Sequence, residues 1–146
     1  MEAKIFSAAT SPATTQKPTE HIGLSLTKVA QMFRVSRVTL LYYEFLGLIR
    51  RRLIGRSRVY DWEDCDRISF ILKGRRLGLS LSDISPILLA GLAGKGERSR
   101  LLIERAKSQC AFLVELLQYK RLEIDTFIDE LEHRVGLLSS ERRSLY

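Results

Sequence analysis

Five arginines lie within nine residues of the chain, at positions 50, 51, 52, 56 and 58. A guanidinium group is charged at neutral pH and pairs well with phosphate oxygens, so such a cluster is typical of a surface that binds a polyanion. No acidic residue stands within the run, and the arginines would repel one another without an anionic partner. Residues 23–91 carry twelve basic and six acidic residues, which is a surplus of six out of a net charge of +7. The sequence therefore predicts nucleic-acid binding by the middle of the chain.

Other kinds of chemistry find little support in the residue types. The chain has two cysteines, Cys65 and Cys110, which are too few for a disulfide scaffold or a four-cysteine zinc site. His21 and His133 have no partner at metal-ligand spacing, and no nucleophile–base pair or carboxylate pair emerges. We therefore predict a protein that is not an enzyme and that holds no metal or cofactor. With no apolar run long enough to span a membrane, we expect a cytoplasmic, nucleoid-associated protein.

Two short helices joined by a tight turn are predicted between residues 25 and 46. The first carries apolar residues at helical spacing, namely Leu26, Val29, Ala30 and Phe33. Ser36 can cap the second helix, whose inward face is expected to hold Val38, Leu41 and Phe45, with Leu40 beside them. This pattern indicates a helix-turn-helix unit.

The arginine cluster falls in a predicted β-hairpin. Leu48-Ile49 and Val59-Tyr60 are short pairs of β-forming residues on either side of a polar loop that contains Gly55. A basic hairpin that follows a helix-turn-helix is typical of a wing, which lies along the phosphate backbone or enters the minor groove.

Two more helices complete the predicted DNA-binding domain, residues 24–91. Asp61 and Ser80 are the predicted N-caps, each with an aspartate three residues on. Pro86 implies either a kink in the second helix or a helix that begins at Ser85. The Ser-, Thr- and Pro-containing residues 1–23 are predicted to form a disordered tail.

Residues 97–138 are predicted to form one long helix for dimerisation, with a tail at 139–146. Apolar residues recur every seven positions along it, and a repeat of this kind on a single helix requires a partner helix. The positions expected to form the dimer interface are Ile103, Cys110, Leu113, Leu117, Ile124, Phe127 and Leu131.

Three runs of the sequence carry a family resemblance. They are VSRVTLLYYEFLGLI at residues 35–49, RVY at 58–60 and LGLSLSDI at 77–84. In this order and spacing they resemble the MerR family of bacterial transcription regulators, by motif over 24–90 and by architecture alone over 97–138. The resemblance implies a mainly α fold: a winged helix-turn-helix with a small β wing, followed by a long helix that forms an antiparallel coiled coil.

The resemblance also implies a homodimer that binds an inverted repeat in double-stranded DNA. Such dimers bend and untwist a promoter for RNA polymerase, which is therefore a further candidate partner. One tyrosine of the Tyr42-Tyr43 pair must face the interior, because adjacent helix positions point about 100° apart; we favour Tyr42 for DNA. The residues expected at the DNA are Ser36, Arg37, Thr39, Tyr42, Tyr43, Arg51, Arg56 and Arg58.

Two positions depart from the family pattern. Leu41 replaces an arginine that precedes the two tyrosines, and Arg34 replaces the glycine of the turn.

The main alternative function is that of an architectural or excisionase-like DNA-binding protein with the same fold and no direct role at RNA polymerase. A protein-interaction module that uses only its coiled coil is the second.

Overall fold

The computed structural model describes residues 23–144, so the predicted tail at 1–23 lies outside the described residues except for Gly23. Eight elements follow one another along the chain, and most of the described residues are helical. In order they are β1 (Leu24–Ser25), α1 (Leu26–Phe33), α2 (Arg37–Phe45), β2 (Arg52–Ile54), β3 (Ser57–Tyr60), α3 (Trp62–Arg76), α4 (Leu81–Leu92) and α5 (Glu97–Ser144).

Helices α1 and α2 form the predicted helix-turn-helix. Ser25 and Ser36 cap them, since their hydroxyls accept hydrogen bonds from the backbone N–H groups of Lys28 and Thr39. Arg34 ends α1 in the left-handed conformation (φ 55°, ψ 42°). For a residue with a Cβ this costs about 1–2 kcal/mol, so the turn keeps the geometry that suits glycine although the glycine is absent.

The predicted inward face of α1 is confirmed, and that of α2 is wrong except for Leu40. Val29 and Ala30 of α1 are buried, but Val38 is 74% and Phe45 84% exposed. The buried residues of α2 are Leu40 and Tyr43. The run from Val38 to Leu46 is apolar on two sides of the helix, so periodicity alone could not tell which side meets the core.

The wing is part of a three-stranded antiparallel sheet in the order β1-β3-β2. Ile54 pairs with Ser57, so Gly55 and Arg56 form a two-residue turn. Gly55 has a φ of 62°, which suits a turn with glycine in its first central position. Leu48 and Ile49, predicted as strand residues, are instead buried in the loop before β2.

Capping boxes begin both α3 and α4, at Asp61/Asp64 and Ser80/Asp83. Helix α4 therefore begins before Pro86 and continues through it, which decides between the alternatives left open above. The two helices approach closely at Gly74, where a Cβ would lie 2.7 Å from Ile84 Cδ1. Only a glycine fits there without a shift of the buried Ile84.

Helix α5 is 48 residues long, which corresponds to about 72 Å. It runs through Ser144, so the tail predicted from residue 139 is helical as far as it is described. Its first half packs on α4 and buries Ala106 and Leu113, whereas every residue from 121 to 144 is exposed. Among residues 23–144, no helix is both long and apolar enough to cross a membrane.

Candidate nucleic-acid interface

The N-terminus of α2 is held by its own side chains. The Ser36 and Thr39 hydroxyls lie 2.8 Å apart in a hydrogen bond, and the Thr39 N–H donates to Ser36 Oγ at 3.0 Å. Both residues were predicted to contact DNA, and the structure gives both a role in capping. Arg37 between them is exposed and forms no ion pair with any residue of the described chain.

The two tyrosines of α2 point in different directions. Tyr42 is 49% exposed, whereas Tyr43 is buried in the hydrophobic core. Burial raises the pKa of the Tyr43 hydroxyl, although the charge of Arg75 opposes the shift. The inclusion of Tyr43 among the DNA contacts is therefore corrected, because its ring packs inside the domain.

A shallow groove runs between the wing and the first turns of α1 and α2. Its volume is about 280 Å³. The pairing of Ser25 with Val59 in the sheet brings the start of α1 beside the wing. The groove is lined by Arg37, Arg56 and Arg58 together with Ser25, Leu26, Thr27 and Ser57. The groove is bordered by three arginines and by two helix N-termini, each of which is the positive end of a helix dipole. These positive charges make the groove favourable for a phosphate group.

The wing arginines are less free than their sequence suggests. Arg50, Arg52 and Arg58 form ion pairs with Glu63, Asp61 and Glu44, which belong to other segments. No acid stands within the run, as the sequence shows, but acids of other segments neutralise three of the five arginines, so the repulsion among them no longer requires a bound polyanion. Arg51 and Arg56 are exposed and have no acidic partner within residues 23–144; Arg51 lies outside the groove.

Glu44 joins the recognition helix to the wing. Its carboxylate, whose side chain is only 6% exposed, accepts a hydrogen bond from Arg58 Nε at 2.9 Å. Tyr60 is fully buried beside it. Burial, reinforced by the Glu44 charge, raises the pKa of Tyr60 to about 12. Its hydroxyl faces the Glu44 carboxylate without a hydrogen bond of ordinary geometry in the described structure. The predicted phosphate contact Arg58 is thus also a structural link.

A second buried carboxylate anchors the base of the wing. Asp64 is fully buried, and it accepts hydrogen bonds from the backbone N–H groups of Arg50 at 3.0 Å and Asp61 at 3.2 Å. Burial raises the pKa of Asp64, and these two hydrogen bonds oppose the rise. The start of α3 and the entry to the hairpin are therefore tied at one side chain.

Sequence reasoning missed several residues of this site. Ser25, Thr27 and Ser57 line the groove, and Glu44 orients an arginine at its edge. The only signal for Ser25 was its position immediately before an apolar helix, which is typical of an N-cap. Glu44 stood in the sequence beside the two tyrosines, but its pairing with Arg58 spans fourteen residues and is formed only in the fold.

Helix α5 separates the predicted dimer positions into two groups. Leu113 is buried against its own domain and Leu117 packs partly on the same core, so the assignment of Leu113 to the dimer interface is corrected. The other five positions are exposed: Ile103, Cys110, Ile124, Phe127 and Leu131. Further exposed apolar residues of α5 lie four positions after a heptad position, namely Val114, Ile128 and Val135.

The two cysteines lie apart from the groove. Cys65 packs against the core, and burial together with the nearby aspartates raises the pKa of its thiol, which keeps it in the unreactive protonated form. Cys110 is exposed on α5. Within the described part of the chain, no three Cys, His, Asp or Glu side chains form a group that could hold a metal ion.

Fold and groove together define a winged helix-turn-helix protein with a long C-terminal helix. A family model described as MerR HTH family regulatory protein matches residues 24–90. A curated relative, the HTH-type transcriptional regulator ZntR homolog of Haemophilus influenzae, is 36% identical over 111 residues, 73% of each chain. The chain therefore belongs to the MerR family of transcriptional regulators.

Two solved structures share the fold. HiNmlR, a MerR family regulator lacking the sensor domain and bound to promoter DNA, matches with a TM-score of 0.65 and 21% identity, over 79% of this chain and 89% of its own. A MerR family transcriptional regulator from Listeria monocytogenes matches with a TM-score of 0.52 and 24% identity, over 84% and 96%. At these identities the likeness shows the architecture alone.

Proposed function

We propose that the protein is a homodimeric transcriptional regulator that binds an inverted repeat in double-stranded promoter DNA and distorts it. The observation that carries this proposal is the groove where Arg37, Arg56 and Arg58 meet the N-termini of α1 and α2. Its charge and shape suit a phosphate backbone, and α2 beside it is the element that enters the major groove in proteins of this class.

Related proteins support the same reading. HiNmlR, which shares this fold, is bound to promoter DNA in its structure. A dimer that holds two recognition helices at a set separation can exploit bending and untwisting of the intervening DNA, with the deformation offset by phosphate contacts. RNA polymerase is then a candidate partner at the distorted promoter, and the protein would act in the cytoplasm at the nucleoid.

The exposed half of α5 supports the homodimer. Residues 121–144 are all exposed, yet apolar side chains recur along them, among them Ile124, Ile128, Leu131 and Val135. Most helical stability in proteins comes from the packing of an apolar face against a neighbour, and a partner helix would supply that packing here. A second copy supplies the matching surface, because Ile103, Cys110 and Val114 on the first half are exposed beside the domain.

In an antiparallel dimer, the first half of α5 in one protomer would pair with the second half of α5 in the other. The two-fold axis would then lie near Lys120 and Arg121. Positions equally far from this axis then face each other, so that Ile103 meets Leu138, Cys110 meets Leu131, and Leu117 meets Ile124 across the interface. All of these positions stand one or more heptads apart. The two Cys110 thiols are then on the order of 30 Å apart along the helices.

Disulfide trapping tests this pairing. Leu131→Cys should form an intersubunit disulfide with the native Cys110 under mild oxidation, seen as a dimer on a non-reducing gel. The wild type should not form one, and adding Cys110→Ser to Leu131→Cys should abolish it. Leu122→Cys is the control, because Leu122 is more exposed than Leu131 but lies on another face of α5. A disulfide in the wild type would show a parallel pairing and contradict the proposal.

Selection of binding sites from random and genomic DNA, followed by footprinting, tests the function. A palindrome that spans a promoter with an over-long spacer supports the regulator. A site within a recombination region supports the architectural or excisionase-like alternative instead. No affinity for DNA at moderate salt would leave only the protein-interaction module, and would refute the proposal.

A further inference from the structure

The outward face of α2 is apolar where a DNA-reading helix usually carries polar side chains. Val38 in the first turn is 74% exposed, and Tyr42 and Phe45 continue the same exposed face at helical spacing, with the partly buried Leu41 between them. Leaving these side chains in water is unfavourable. Their exposure therefore indicates a surface that becomes covered when the protein binds its target.

The polar side chains of α2 are occupied elsewhere. Ser36 and Thr39 are hydrogen-bonded to each other and to the helix start. Glu44 is buried and paired with Arg58. Residues 36–46 include no asparagine or glutamine, the side chains that read adenine through paired hydrogen bonds. Arg37 and the Tyr42 hydroxyl are the polar groups that remain available on this helix.

The major groove offers one apolar group to a protein, the C5-methyl of thymine. Val38 follows directly after Arg37, which lines the phosphate-binding groove, so it lies at the end of α2 that meets base edges in helices of this class. We propose that Val38, with Leu41 one turn further on, reads thymine methyl groups in the target DNA. This proposal rests on the proposed function, because it requires α2 to enter the major groove.

Uracil substitution tests the proposal, since deoxyuridine differs from thymidine only by that methyl group. The probe is a duplex recovered by selection from random DNA, in which each thymine is replaced in turn. At one or two thymines per half-site, uracil should raise Kd roughly three- to tenfold, the effect of losing one buried methyl. Uracil outside the footprint should change nothing.

A double-mutant cycle that combines Val38→Ala with the replacement of thymine by uracil assigns the contact to a residue. Val38 is largely exposed, so the variant should retain the thermal unfolding of the wild type. If Val38 meets the methyl, the variant should bind the thymine and uracil duplexes equally at that position. Met32→Ala, another exposed apolar side chain but on α1, should retain the full uracil effect.

The outcomes separate this proposal from the one before it. Sequence-specific binding that is unaffected by uracil at every position would refute the methyl contact and leave the regulator intact. A uracil effect that persists in Val38→Ala would assign the contact to another residue and likewise refute the role of Val38. A protein without DNA affinity would refute both.

Discussion

Replacing Arg56 or Arg58 by alanine should have different consequences, although both were predicted as phosphate contacts of the wing. Arg56 occupies the tip of the hairpin, is exposed and pairs with no acid among the described residues. Arg58 is only 35% exposed and pairs with Glu44 at 2.9 Å. The first variant removes a charge that is available for DNA, and the second also removes a support of the fold.

The size of the Arg56→Ala effect follows from counterion release. Each phosphate contact contributes about 0.9 to the slope of log K against log salt concentration, and a dimer carries the substitution twice. The magnitude of the slope should therefore decrease by about 1.8. If the variant and the wild type bind equally at 1 M salt, the variant should then bind on the order of 60-fold more weakly than the wild type at 0.1 M salt. The free energy of unfolding should stay within about 0.5 kcal/mol of the wild type, as for most surface changes.

Arg58→Ala leaves the buried Glu44 carboxylate without its partner. An unpaired buried charge of this kind costs about 1–3 kcal/mol of unfolding free energy, and the low end is expected because Arg58 itself is partly in water. DNA binding should weaken as well, because the wing is no longer tied to α2. Adding Glu44→Gln to Arg58→Ala removes the unpaired buried charge and should therefore recover part of the lost stability.

Fluorescence anisotropy titrations from 50 to 300 mM KCl and urea unfolding at one fixed protein concentration measure the two quantities. Holding the concentration constant matters because dimerisation contributes to the apparent stability. The reasoning would be refuted if Arg58→Ala unfolded like the wild type and decreased the salt slope as much as Arg56→Ala. Arg58 would then be a phosphate contact alone, and its pairing with Glu44 would not stabilise the fold.

Three further predictions concern the core and the long helix. Leu113→Ala should lower the unfolding free energy by about 2–5 kcal/mol, whereas Ile124→Ala should leave the domain folded and weaken the dimer, as denaturation and analytical ultracentrifugation would show. Because burial raises the pKa of Tyr60 to about 12, its neutral form stabilises the fold below pH about 10. That stability, about 2–3 kcal/mol, should be lost as the pH rises from 10 to 12, and Tyr60→Phe should show a smaller loss in alkaline denaturation. Gly74→Ala should cost about 1–3 kcal/mol in thermal unfolding, because its Cβ would meet the buried Ile84 at 2.7 Å.

Much of the architecture could be predicted because its causes are local. The predicted helix starts at Ser36, Asp61 and Ser80 depend on a hydroxyl or carboxylate that accepts from the N–H three residues further on, and the structure has each of these caps. The hairpin turn at Gly55 is local for the same reason. A seven-residue repeat likewise declares a long helix without reference to the rest of the chain.

The site was harder to predict because its contacts join distant segments. Five arginines within nine residues indicated a cluster without acidic partners, yet three of them pair with Glu44, Asp61 and Glu63 once the hairpin folds back on α2 and α3. Likewise the apolar run of α2 has two plausible inward faces, and packing against α1 and α3 selected Leu40 and Tyr43. The energy of an ion pair depends on the distance between its two charges in space, and the burial of a helix face depends on what packs against it. Neither can be read from the distance between residues along the sequence.

The sequence by itself determined the order of the helices, the caps at Ser36, Asp61 and Ser80, and the motifs of the family, because each of these depends on residues close to one another along the chain. Only the tertiary structure decided which arginines stay free for a ligand, which tyrosine faces water, and which half of α5 its own domain covers. Each of these outcomes depends on which surfaces pack together and exclude water in the folded protein. The same apolar repeat could bury Leu113 within the domain and leave Ile124 exposed because α4 reaches only along the first half of the helix.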